Sequence, residues 1–333
     1  MLRRELGVGC GLCIGAGVAV QGRVNGALGE RLQDGIAAAV VSFGSGLLVL
    51  GVAFALSGRL RAGVRAVWRA VARGGLRWWQ LLGGLCGALF VACQGLTVAA
   101  IGVTAFTVAV VAGQLTSSLV VDRLGLGPGG RTPVTVLRVT GAALALAAVG
   151  ISAAGGSGAG HSASAAGDLL GAIPPAALIA FPALAGIGLA WQQAMNGQIG
   201  VVGGPYSATL VNFATGVAGL LVVESVVLAR IGWPAEFPSE PWLYLGGVIG
   251  VVFIALAAAV VRWIGVLLLG LTSVAGQLLA AVVLDLALPT GSGLSAATLA
   301  GCVLTLVAVA VAARRPRAIR VPRQRGADND VRW

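Results

Sequence analysis

The chain has 333 residues, of which 58% are hydrophobic and only 10% are charged. Because a soluble domain carries about 25% charged residues, this composition excludes a water-soluble protein and predicts a polytopic membrane protein. The net charge of +11 arises from 22 basic residues, all of them arginine, and 11 acidic residues. No water-exposed domain is predicted that would hold these arginines as a nucleic-acid surface, so no nucleic-acid partner is expected.

Ten apolar segments have the length of about 20 residues that a membrane-spanning helix needs. Five of them precede a stretch rich in Gly, Ser and Ala, at 6–26, 35–57, 78–98, 101–121 and 134–153. Five more follow it, at 169–191, 205–229, 242–261, 264–286 and 295–313. The predicted fold is therefore an all-α polytopic membrane protein with ten transmembrane helices.

The composition also predicts how the chain is divided. We expect a first five-helix repeat at 1–154, a flexible Gly/Ser/Ala linker at 155–168 and a second five-helix repeat at 169–313. A basic cytoplasmic tail is expected at 314–333. The first residues resemble a signal peptide, but they lack a convincing cleavage site and are interpreted as part of an uncleaved first helix.

A motif near the end of the first predicted helix returns in the second half of the chain. Gln21 precedes Asn25 by four residues, Gln192 precedes Asn196 by the same spacing, and each Asn is followed by Gly. At helical pitch the two amides of each motif lie on one face. The motif therefore marks either a function or an old duplication.

Other positions match at fixed offsets, which indicates that the two halves are copies. Phe43 and Phe213 are 170 residues apart, and seven further pairs are 163 residues apart. Because five helices per copy is an odd number, the copies cross the membrane in opposite senses, an arrangement typical of transporters. The seven pairs are Gly83/Gly246, Gly87/Gly250, Phe90/Phe253, Gly102/Gly265, Gly113/Gly276, Gln114/Gln277 and Asp122/Asp285.

The arginine distribution predicts the orientation. With the N-terminus in the cytoplasm, 19 of the 22 arginines lie on the cytoplasmic side, and only Arg23, Arg31 and Arg230 lie outside. The positive-inside rule then places both termini in the cytoplasm.

Between the second and third predicted helices, arginines recur every four residues with apolar residues between them. This pattern predicts a short amphipathic helix that lies on anionic lipid headgroups. The alternative is a solvated loop that only fixes the topology. The arginines concerned are Arg61, Arg65, Arg69, Arg73 and Arg77.

Polar side chains inside a bilayer are costly and often functional, so the amides of the predicted spans are candidates for a solute-binding cavity. The alternative is that they join helices through hydrogen bonds worth about 0.6–2 kcal/mol each. Trp191 is a candidate for stacking on a ligand. The polar candidates are Gln21, Asn25, Ser42, Gln114, Gln192, Gln193, Asn196, Asn212 and Gln277.

Few ionisable or reactive residues lie in the spans. Asp122 and Asp285 occupy equivalent helix ends, which suggests capping or gating, or else two interfacial carboxylates. Glu224, about a turn inside the seventh helix, is the candidate for proton coupling, or else an interfacial residue. Cys10 and Cys13 have metal-pair spacing but are interpreted as small packing residues. With no His pair, nucleophile elbow or phosphate loop, we predict no metal, cofactor or enzymatic activity.

The Gln-x-x-x-Asn-Gly element, the segment from Ser42 to Gly46, and the Ala-Gly-Gln segments ending at Gln114 and Gln277 resemble one known family. They are similar to the YdcZ-like branch of the drug/metabolite transporter superfamily, whose members are often single five-helix units. This chain resembles a fused pair of such units.

The resemblance implies a ten-helix inverted-repeat secondary transporter of the bacterial inner membrane, with a central cavity between the halves. The leading hypothesis is a secondary transporter that exports a small metabolite or drug-like solute by alternating access. Small multidrug relatives carry a membrane-embedded Glu in the first helix, which this chain lacks within 6–26. The alternative prediction is a non-transporting membrane scaffold or accessory subunit.

Overall fold

The computed structural model describes residues 2–128, 130, 131, 133–155, 175–232, 236–288 and 294–313, and all regular secondary structure among them is helical. Short 3-10 turns at Trp78–Leu82 and Pro241–Tyr244 precede the two longest helices. Residues 156–168 of the predicted linker and the predicted tail at 314–333 lie outside the described residues. The α-helices are α1 (Leu2–Leu32), α2 (Gly35–Leu56), α3 (Gly58–Ala72), α4 (Gly83–Leu124), α5 (Val136–Gly155), α6 (Pro175–Gly203), α7 (Pro205–Ile231), α8 (Gly246–Ala287) and α9 (Ala296–Ala313).

Helix α4 contains two membrane-spanning segments joined at a glycine. Gly102 has φ 78° and ψ 162°, outside the helical region, and glycine adopts this conformation without the steric cost of a Cβ. The parts before and after it are termed α4a (83–101) and α4b (103–124). Gly125 ends α4b in the left-handed conformation, with φ 69°.

Helix α8, in the second half of the chain, likewise contains two membrane-spanning segments. Its Gly250 lies against Gln21 of α1, and its Ser273 lies against Gly15 of α1. At 1.5 Å per residue a straight helix would separate Gly250 from Ser273 by about 34 Å, whereas Gly15 and Gln21 are about 9 Å apart along α1. Helix α8 therefore folds back on itself between these two contacts.

The described helices are long enough for the predicted number of membrane crossings. Six segments of the described chain are long and apolar enough to cross a membrane by length and composition, and the longest, Trp78–Leu124, contains both crossings of α4. Shorter apolar helices occupy Val136–Ile151 and Ala296–Val311. With α8 counted as a hairpin, ten crossings result, and the predicted all-α fold of two inverted five-helix repeats is confirmed.

The inversion is visible in the turns that follow the first helix of each repeat. The α1–α2 turn lies where Arg31 and Glu240 form an ion pair of 3.2 Å. The equivalent α6–α7 turn lies one crossing away, where Gly203 packs on Gly63 of α3. The side of the protein that carries α3 is termed the α3 face, and the side of the Arg31–Glu240 pair the opposite face.

Two equivalent phenylalanines mark the pseudo-twofold axis between the repeats. The ring centroids of Phe43 and Phe213 are 4.9 Å apart. Each ring occupies the space that a Cβ would need on a glycine of the other repeat, Phe213 at Gly46 and Phe43 at Gly216. Since equivalent residues touch each other only close to a symmetry axis, the two halves are arranged around this point.

Candidate functional site

The paired amides of the first repeat lie against a glycine pair of the second. The Nε2 of Gln21 donates a 2.8 Å hydrogen bond to the carbonyl oxygen of Gly246, and Gln21 occupies the space that a Cβ on Gly250 would take. The Nδ2 of Asn25 donates a 2.7 Å hydrogen bond to Oε1 of Gln94. Glycines at these positions let α1 approach α8 closely enough for a side chain to reach the backbone.

The second repeat makes the equivalent contact with the first. Gln192 lies against Gly87 and donates a 2.7 Å hydrogen bond to Oδ1 of Asn212. Asn196 lies near Gly83 and donates a 3.3 Å hydrogen bond to the same oxygen. Each Gln-Asn motif is therefore placed on the third span of the other repeat.

A cavity of about 280 Å³ lies between the repeats on the α3 face. Most of its lining is apolar, and its polar groups are Gln114, Ser118 and Asp122 of α4b, Arg138 of α5 and Gln193 of α6. The guanidinium of Arg138 donates a hydrogen bond to the carboxylate of Asp122 and forms an ion pair with it. The cavity thus offers amides, a hydroxyl and a balanced pair of charges to a small polar solute.

The equivalent positions of the second repeat are closed. Ser118 and Gln114 are partly exposed where they line the cavity, whereas Ala281 is 0% exposed and Gln277 is buried. Ser118 and Ala281, like Gln114 and Gln277, are 163 residues apart and therefore occupy equivalent positions in the two repeats. The protein is therefore open on the α3 face and closed at the equivalent place on the opposite face.

On the opposite face, Asp285 binds the start of α4b. Its two carboxylate oxygens accept hydrogen bonds from the backbone N–H groups of Val103, at 3.0 Å, and Thr104, at 2.8 Å. These residues follow the turn at Gly102, and the first N–H groups of a helix have no acceptor within it. A carboxylate there satisfies them and complements the helix dipole, so Asp285 ties α8 to α4b.

The structure divides the predicted solute-binding residues into two groups. Gln114 and Gln193 line the cavity. The other residues lie in contacts between helices, and their contact with a solute stays a prediction. These are the four amides of the two motifs, Gln21, Asn25, Gln192 and Asn196, together with Gln277, beside Gly15, and Trp191, beside Val121 and Met195.

Glu224, the predicted coupling residue, is buried in α7. Its Oε2 has no hydrogen-bond partner among the described residues. The carboxyl group is not part of the cavity lining, so a role in coupling would act through a change of conformation. That role stays a prediction.

Two polar residues of these contacts were not predicted as site residues. Gln94 is fully buried against Asn25, and its position in an apolar run was the available signal. Its equivalent is Ala257, so a comparison of the repeats does not single it out. Arg138 was interpreted only as a topology signal, because its approach to Asp122 depends on how α5 packs.

The arginine-rich segment is a helix as far as Ala72, as one of the two predicted alternatives requires, whereas Arg73 and Arg77 follow its end. Val67 of α3 is fully buried and packs on Gly203 at the α6–α7 turn. Trp68 and the four arginines of α3 are exposed, while Arg61 also donates a 2.9 Å hydrogen bond to the carbonyl oxygen of Phe54. The apolar face of α3 thus packs on the protein, and binding of its arginines to lipid stays a prediction.

Ten crossings in two inverted repeats, with a cavity between them that reaches one face, are the architecture of a membrane transporter. The family described as "Putative inner membrane exporter, YdcZ" matches residues 6–151 and 177–311. The chain belongs to this family, a branch of the drug/metabolite transporter superfamily, and the matched segments confirm the predicted fused two-repeat form. A comparison with curated proteins finds no match.

Proposed function

We propose that the protein is a secondary transporter that exports a small metabolite or drug-like solute by alternating access through the cavity. The supporting observation is that equivalent positions have different environments, since Ser118 lines an open cavity and Ala281 is fully buried. In an inverted-repeat transporter, exchanging the conformations of the two repeats closes one face and opens the other.

The cavity chemistry favours a polar solute without net charge. The amides of Gln114 and Gln193 offer both donors and acceptors. Asp122 and Arg138 neutralise each other, so an ion would have to displace one of them, whereas a neutral or zwitterionic solute would not. The apolar remainder of the lining would bury carbon-rich parts of the solute.

The α3 face is the cytoplasmic face in this proposal, because most arginines lie on that side. A cavity open to the cytoplasm is the state in which an exporter takes up its solute. The exposed arginines of α3 would then meet the anionic headgroups of the inner leaflet. Glu224 is buried, and its Oε2 has no hydrogen-bond partner in the described part of the chain; it is the proposed coupling residue.

Transport by purified protein in liposomes tests the proposal. Liposomes loaded with a bacterial metabolite extract should release a small set of solutes, identified by mass spectrometry, only when they contain the protein. Gln114→Ala and Gln193→Ala should each slow release about tenfold, because each removes a hydrogen bond inside the cavity. Gln80→Ala changes an amide near the α3 face but outside the cavity lining and should release at the wild-type rate.

Equal release with and without protein would support the alternative of a membrane scaffold, for which a partner should copurify through residues 58–77.

The same liposomes test the amides between the repeats. Alanine at any of them is predicted to reduce release while folded protein remains in the membrane. If all four variants transport normally, these amides are not part of the transport site. They are Gln21, Asn25, Gln192 and Asn196.

A further inference from the structure

We propose that Asp285 and Asp122 are alternating gates of the transporter. Each aspartate closes its own face by capping the helix that starts after the glycine turn of the other repeat, and only one cap forms at a time. The inference rests on the proposed alternating access, and it assigns the residues that hold each state.

The formed gate is the contact between Asp285 and the start of α4b. The carboxylate accepts hydrogen bonds from Val103 and Thr104 and is buried. A Cβ on Gly102 would lie 3.0 Å from its Oδ2, so the turn is shaped around this carboxylate. Releasing Asp285 would leave two N–H groups of α4b without an acceptor.

The second gate is assigned by the equivalence of the two repeats. Asp122 is equivalent to Asp285, and Gly265 is equivalent to Gly102. Gly265 lies between Gly250 and Ser273, the interval in which α8 folds back. In this open conformation Asp122 instead pairs with Arg138 at the cavity wall. The formed gate thus lies on the closed face, and Asp122, assigned to the second gate, lines the open cavity.

Arg138 gives the two gates unequal strength. It offers Asp122 an alternative partner whenever the α3 face is open. The helix equivalent to α5 is α9, and its residues 296–313 include no arginine or lysine. A released Asp285 therefore finds no such partner on that helix, which biases the protein toward the open α3 face.

Two buried hydroxyls lie beside the formed gate. The side chains of Thr104 and Thr107 are fully buried, and their Oγ1 atoms have no hydrogen-bond partner among the described residues. By contrast, Thr97 bonds the carbonyl oxygen four residues earlier. Thr107 is equivalent to Gly270, which lines the open cavity. When Asp285 releases α4b, an equivalent cavity on the opposite face would supply water or solute to these hydroxyls.

Cysteine accessibility in sealed membrane vesicles of both orientations measures the two gates. Ser118→Cys reports the α3 face and Ala281→Cys reports the opposite face, each in a background whose five native cysteines are replaced by Ala. The reagent is a membrane-impermeant maleimide, and the measured quantity is the ratio of the two labelling rates.

Removal of a gate should shift this ratio in a defined direction. Asp285→Ala is expected to raise labelling at position 281 about tenfold and to lower it at position 118, because an N-cap is lost. Asp122→Ala is expected to shift the ratio the other way. Asp285→Asn keeps one carbonyl oxygen that can cap an N–H group, so its shift should lie between those of wild type and Asp285→Ala.

Arg138→Ala leaves both aspartates in place and separates gating from packing. It should shift the ratio in the same direction as Asp285→Ala, because it frees Asp122 to cap α8. Unchanged ratios in Asp285→Asn and Arg138→Ala would overturn the proposal even if Asp285→Ala fails to fold. Shifts in the same direction in Asp285→Ala and Asp122→Ala would also overturn it. Absence of labelling at position 281 in every protein, wild type included, would instead contradict alternating access itself.

Discussion

A Cβ added to Gly84 would overlap the carbonyl oxygen of Asn212, and one added to Gly247 would overlap that of Ser42. The two contacts are equivalent, because Gly84 and Gly247 are 163 residues apart and Ser42 and Asn212 are 170 apart. The obstructing atoms belong to the backbone and cannot rotate away. Single glycines therefore set how closely the second helix of each repeat approaches the third span of the other.

Gly84→Ala and Gly247→Ala should each lower the free energy of unfolding by about 1–3 kcal/mol, because the added methyl forces two helix backbones apart. Unfolding of the purified protein in detergent, followed by circular dichroism, measures the loss. Gly44→Ala in α2 is the matched control, since a Cβ there has no atom within 4 Å. Equal stability of all three variants would mean that these contacts are not tight in the folded protein.

Among the elements, α3 carries exposed charge along its length. Its Val67 is buried on the α6–α7 turn while its arginines remain exposed. A helix with one apolar face on protein and a basic face outward suits the membrane surface. At this position it would join the second repeat to the lipid headgroups.

Replacing Arg59, Arg65 and Arg69 of α3 together by Gln should remove most of the stabilisation that anionic lipid gives the protein. Each arginine near an anionic surface contributes about 1 kcal/mol. The measurement compares thermal unfolding in phosphatidylglycerol and phosphatidylcholine nanodiscs. The control makes the same charge change at Arg23, Arg31 and Arg230, which lie outside the arginine-rich segment. A triple variant that keeps the full lipid difference would exclude α3 as the lipid contact.

The sequence predicts the elements well because span length and apolarity are local properties. The second predicted helix, 35–57, corresponds to Gly35–Leu56, and the seventh, 205–229, to Pro205–Ile231. The hydrogen-bond partners of the amides, by contrast, depend on tertiary packing and not on the local sequence. Gln21 bonds a residue 225 positions away, and its motif repeats with an offset of 171 whereas the glycines that receive it repeat with 163. The sequence pattern therefore does not show which glycines the amides contact.

At the scale of the whole molecule, the main contacts run between the repeats. Helix α1 packs chiefly on α8, and α4 packs chiefly on α6. The Gln-Asn motif of each half finds its glycine pair in the other half. Because Gln21 bonds the backbone of the other half and the glycine contacts of both motifs cross between the halves, the two repeats form one folding unit although a linker is predicted between them.

Separate expression of residues 1–154 and 169–333 tests this interdependence. Co-expressed halves should copurify through a tag on either one in a 1:1 ratio, because each supplies the surface that the other lacks. Each half expressed alone should accumulate several-fold less, since exposing the helix faces that pack between the repeats lowers stability and opens the chain to proteolysis. Introducing Gly84→Ala into the first half should weaken copurification, and Gly44→Ala should not. Halves that accumulate alone as well as together would show that contacts within each repeat suffice for folding.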